Sequence, residues 1–187
     1  TAVYDSLITA MHNNLEPMYK YLRLRKKVLG LDELHMYDIY APLVKESPGE
    51  IEYEAARDMV LAGLKPLGKE YGDILREGFT GGWIDVYEQE GKTGGAYSWG
   101  SYDTHPFILM NYDNKLNDVF TLAHELGHAL HSYYSNQAQP FVYSQYSIFL
   151  AEVASTVNES LLIDHLLTTG SKAEDKIYLI NHYLEQF

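Results

Sequence analysis

The sequence predicts a mainly α-helical fold with a small β-sheet. Three observations carry that reading. Apolar residues recur at helical spacing over residues 3–29. Two further long helical patterns cover about 116–134 and 144–168, the first with no proline between Asn114 and Gln139. Only short segments, at 35–41, 83–89 and 106–111, have β character, so the sheet must be small.

The elements follow in chain order. Leu7, Met11, Leu15, Met18, Leu22 and Val28 mark one face of a single long helix over 3–29. Lys20, Arg23, Arg25, Lys26 and Lys27 crowd its end, where cations suit the helix dipole, and Gly30 closes it. In an otherwise acidic chain this basic run reads as a solvated helix end rather than a nucleic-acid patch. His35 to Ala41 alternates and reads as a strand stopped by Pro42. Ser47 to Glu50 reads as a turn into a helix over about 51–65, and a further helix over 68–79 ends at Gly81-Gly82. Trp83 to Gln89 is a second strand, Gly91 to Tyr102 a Gly-, Tyr- and Ser-rich loop without a phosphate-loop pattern, and Pro106 to Asn111 a buried third strand. Helices are expected at 116–134, 144–168 and 173–186.

Composition narrows the function classes. A net charge of −12 argues against nucleic acid or an anionic membrane as partner. With no cysteine there is no disulfide framework, and a reducing, cytoplasmic setting is expected. The longest apolar stretch, around Ile148 to Val157, is interrupted by Glu152 and Ser155 and is too short to span a bilayer. The start of the chain, with Asp5, His12 and Glu16, does not read as a signal peptide.

One stretch carries chemistry: His124-Glu125-Leu126-Gly127-His128, an H-E-x-x-H pattern inside a helical segment. Residues i and i+4 share a helix face, so the two imidazoles can meet one ion. Glu125 is rotated by roughly 100° from His124, which suits a general base beside the ion. Two ligands, a base and an open position describe a zinc hydrolase, and a zincin-type helix pair is the expected architecture. A structural zinc site would call for a fourth side-chain ligand, usually cysteine, and the chain has none.

A third ligand is needed. Glu152 stands out because it sits in the apolar stretch Phe149-Leu150-Ala151-Glu152-Val153-Ala154, where a lone carboxylate is costly unless paired or ligating. Twenty-three residues lie between His128 and Glu152, enough for an antiparallel return. Glu159, two helical turns further on, competes as a group that orients a ligand histidine. His131, three residues after His128 and facing roughly the same way, competes too, although an extra His on this helix reads as polar lining of the cleft rather than as a ligand. The metzincin pattern is excluded, because its Gly and last His positions hold His131 and Tyr134.

At these residues a resemblance appears. HELGHALHSYYS, the preceding YDTHPFILMNYDNKLNDVFTLA and the following FLAEVASTVNE are similar to the oligoendopeptidase F branch of the thimet oligopeptidase family of zinc peptidases. LDELHMYDIYAPL and WIDVYEQEGKTGGAYSWGSYDTHP resemble its upstream segments. The resemblance implies His124, His128 and Glu152 as ligands of one Zn2+ per chain and Glu125 as general base. It implies a place within a larger two-lobed helical peptidase, with a small sheet beside the zinc and a channel that admits short peptides. Residues 1–187 then form one catalytic-core segment. The N-terminal lobe is expected to be missing, as is the segment after Phe187 that carries the family's His and Tyr pair.

The expected activity is hydrolysis of short oligopeptides by a Glu-activated water on zinc. Substrate backbone is expected beside Gly94-Gly95-Ala96, with Gly95, Ala96 and Tyr97 as candidate contacts, against the competing reading of a glycine-rich turn without a ligand. The rival reading of the whole chain is a metal-binding fragment that is inactive without its flanking segments. A helical interaction module with an accidental motif is the third.

Overall fold

The computed structural model describes residues 2–44, 49–170 and 172–185. Ser47 and Pro48 of the expected turn, and Gln186 at the expected end of the last helix, lie outside them. The chain divides into two compact units, Thr1–Glu46 with Ile180–Phe187, and Ser47–Leu179.

In the first unit, α1 (Ala2–Asn13) and α2 (Glu16–Leu29) replace the single helix expected over 3–29. Pro17 stands in the first turn of α2, where its missing N–H is harmless, and the helical apolar spacing runs on across the break. Gly30 closes α2 with a left-handed φ of 68°. The strand expected at His35 to Ala41 is a 3-10 helix, Met36–Tyr40. Asp38 Oδ2 accepts from the His35 backbone N–H at 2.8 Å and caps it, a local bond that outweighs the β propensity of the tyrosines. Arg25 is buried and donates to Tyr21 Oη (3.1 Å), the Asp38 carbonyl (3.2 Å), the Ala41 carbonyl and Glu185 (2.7 Å).

The second unit holds α3 (Tyr53–Gly63), α4 (Lys69–Thr80), α5 (Leu116–Ala138), α6 (Ile148–Thr169) and a three-stranded sheet. The sheet order is β1-β3-β2, with β1 at Ile84–Asp85, β2 at Tyr97–Trp99 and β3 at Phe107–Leu109. β1 pairs parallel to β3 (Ile84 with Ile108), and β2 pairs antiparallel to it (Ser98 with Ile108). β2 lies inside the stretch 91–102 that reads as a loop, because three residues are too few to show alternation among glycines. Asn111 ties that stretch down, donating to the Gly95 carbonyl at 2.7 Å and the Thr93 carbonyl at 3.0 Å.

α5 is the central helix. Asp118 caps its start, accepting from the backbone N–H groups of Asp113 (2.9 Å) and Lys115 (3.1 Å). Its last turn reaches Ala138, beyond the Tyr134 expected. Val119, Leu122, Ala123, Leu126, Ala129 and Leu130 are fully buried, together with Ala56 and Val60 of α3, Leu75 of α4 and Leu162 of α6. Among the described residues no helix is long and apolar enough to cross a membrane.

Candidate metal centre

The site is built where α6 crosses α5. A Cβ at Gly127 would lie 2.7 Å from Ser155 Cα and 2.8 Å from the Ala154 carbonyl oxygen, so only glycine permits this approach. The crossing is locked by Asn158, whose buried amide donates to the Ala123 carbonyl at 2.9 Å and accepts from Tyr71 Oη at 3.0 Å. Glu152 and Glu159 are thereby carried to the histidine face of α5.

His124 and His128 stand one turn apart with their Nε2 atoms 3.0 Å from each other. Glu152 Oε2 lies 3.5 Å from His124 Nε2 and 3.7 Å from His128 Nε2. Each of the three residues offers one ligand atom within 4.8 Å of the others. Glu159 Oε1 bonds His124 Nδ1. That contact raises the His124 pKa, against the effect of burial. In a neutral ring it also keeps the proton on Nδ1 and leaves the Nε2 lone pair facing the cluster. Burial pushes the His128 pKa down, helped by the neighbouring His124.

Glu125 is 6% exposed, and its Oε2 has no hydrogen-bond partner among the described residues. Burial raises its pKa, and the Glu152 charge adds to this, while His124 and the Ser98 backbone N–H of β2 pull it back. A buried carboxylate that lines a cleft and has a raised pKa is suited to take up and release a proton.

The cleft has a volume of about 570 Å³. Ala96 and Tyr97 line it, with Ser98, Trp99 and Gly100 along the same strand. Gly95 does not line it; its φ of 87° and its carbonyl bond to Asn111 make it a turn residue. His131 does not join the cluster either. Its ring stacks on Tyr146 at 3.7 Å and lines a separate apolar groove with Tyr71, Tyr134, Leu150 and Val153. Sequence reasoning missed Ser132 and Asn136, which line the cleft beside Tyr146. A signal for them exists: they continue the i+4 series of His124 and His128 as polar residues on a largely apolar helix.

The chain matches peptidase family M3 over residues 1–187. The chain belongs to this family. Its M3 relatives include the oligopeptidase PepF of Bacillus subtilis, 52% identical over 185 residues that make up 99% of this chain and 28% of the relative. An oligoendopeptidase F homolog of Lactococcus lactis is 45% identical over 99% of this chain and 31% of its own length. The chain therefore spans about a third or less of the curated relatives it matches. Among solved structures, one from Chlamydophila abortus superposes with a TM-score of 0.89 at 44% identity, covering 99% of this chain and 31% of that one. The oligoendopeptidase-F of Enterococcus faecium superposes with a TM-score of 0.63 at 32% identity, covering 99% and 25%. Mostly helical architecture with a small sheet, as the sequence predicts, is thus the M3 architecture over these residues.

Proposed function

We propose that these residues form the metal centre and general base of a zinc-dependent endopeptidase acting on short oligopeptides. One observation carries the reading: two imidazole Nε2 atoms and one carboxylate oxygen converge within 4.8 Å of one another, beside a buried glutamate whose Oε2 has no partner among the described residues. Two nitrogens and one oxygen from protein, with open cleft beyond, are the donor set of a catalytic zinc rather than a structural one. His124, His128 and Glu152 would hold one Zn2+, with Glu159 fixing the His124 ring. When bound, the ion supplies Lewis acidity towards the scissile carbonyl and towards water.

The chain's own residues do the rest. Glu125 accepts the proton of the attacking water and returns it to the leaving amine, a role its raised pKa suits. β2 is at an edge of the sheet order and borders the cleft, so a peptide backbone can add beside Ala96 and Tyr97 as a further strand. The names of the M3 relatives, oligopeptidase and oligoendopeptidase, support short peptides as substrates. The absence of cysteine supports a reducing, cytoplasmic setting.

The test is Glu125→Gln in protein carrying these residues, assayed on a quenched-fluorescent peptide, with zinc counted by elemental analysis. The variant is expected to keep one zinc and lose about 10²–10⁴-fold in kcat. Wild-type turnover by the variant removes Glu125 as the base. Wild-type protein without zinc, active in the presence of chelator, removes the metal.

A further inference from the structure

We infer that Ser155 is a positioning residue for the metal centre, setting metal affinity by holding the Glu152 carboxylate in place. The inference rests on the reading of Glu152 as a ligand. Glu152 is half-exposed near the start of α6, and an unrestrained glutamate there would sample several rotamers. Ser155 is fully buried, one turn later on the same helix. Its Oγ lies 2.9 Å from Glu152 Oε2, the same oxygen that faces both imidazoles.

A helical serine commonly bonds back to its own helix, and Ser155 Oγ also lies 3.1 Å from the Glu152 carbonyl. That carbonyl already has another hydroxyl: Thr156 Oγ1 donates to it at 2.5 Å. The single Ser155 proton is therefore free for the carboxylate, the charged and stronger acceptor. The hydroxyl has little freedom to leave, because Ser155 is the residue whose backbone rests against Gly127. One helix crossing thus sets both the ligand and the donor that orients it. Such outer contacts to ligands typically change metal affinity 10- to 100-fold.

Thr156 provides the control. It makes the same bond to the Glu152 carbonyl, and its hydroxyl has no bond to the carboxylate among the described residues. Zinc dissociation constants are measured by competition with a chromogenic chelator, with unfolding midpoints recorded for the metal-free proteins. Ser155→Ala is expected to weaken zinc binding by about 10-fold or more with little change in the metal-free midpoint. Thr156→Ala is expected to bind as wild type. Ser155→Cys, close in volume but a weak donor, is expected to fall between wild type and Ser155→Ala. Unaltered affinity in Ser155→Ala overturns the inference, as does an equal loss in Thr156→Ala. If Ser155→Ala does not fold, Ser155→Cys decides, and wild-type affinity there overturns it. Wild-type protein that binds no stoichiometric zinc overturns the reading of the site itself, a result distinct from either.

Discussion

α5 and α6 are nearly equal in length, 23 and 22 residues, yet around the candidate site they are held in different ways. α5 buries large aliphatic side chains along most of its length, Leu122, Leu126 and Leu130 among them. α6 meets it through Ala151, Ser155 and Asn158, while Ile148, Phe149, Leu150, Val153 and Val157 remain exposed. The first helix is anchored by area removed from water; the first half of the second is held by close backbone approach and one buried amide, with Leu162 and Ile163 buried further along. The proposed histidine ligands therefore sit on the helix packed by large side chains. Glu152, the proposed third ligand, lies on the half of α6 that is placed by small residues.

The largest loss of stability is expected at the core of α5. Leu126→Ala is expected to cost about 2–5 kcal/mol, read by chemical denaturation, because its site is closed on every side. Zinc is expected to act next, joining the two helices at the proposed centre. At a free concentration 100 times Kd it should add about 2.7 kcal/mol, reversed by chelator and absent in Glu152→Ala. Gly127→Ala should cost about 1–3 kcal/mol by forcing the backbones apart, and should weaken zinc binding in the same protein.

A pH dependence sharpens the contrast. Burial lowers the His131 pKa below its ordinary value of 6.5. The unfolded chain then binds the proton more readily, so His131 contributes stability above about pH 6.5 that is lost as pH falls through its folded pKa. His124 in the metal-free protein has the opposite sign, since Glu159 raises its pKa: its contribution is present below about pH 6.5 and lost as pH rises. Metal-free His131→Phe should lose less stability than wild type between pH 7 and 5. The smallest effect belongs to the outer face of α6, where Val153→Ala should stay within about 0.5 kcal/mol of wild type.

Local bonds explain where the fold departs from the sequence pattern. The residues 35–41 alternate like a strand, but Asp38 caps a 3-10 turn. Residues 3–29 keep one apolar spacing through a break between Asn13 and Glu16. β2 is invisible by pattern because its three residues gain strand geometry only from β3. Ser155 shows in the sequence only as a break in an apolar stretch; its contact with Glu152 has no signature until the side chain beside it is known.

The sequence by itself determined the placement of His124 and His128 on one face of one helix, since that depends only on residues four apart and a repeat of 3.6. It also marked Glu152 as a costly carboxylate in an apolar stretch. Only the tertiary structure decided that Glu152, Glu159 and Ser155 meet that face, and that β2 borders it. Those relations depend on how closely two helix backbones can approach at Gly127, and on a strand pairing, neither of which any single segment encodes.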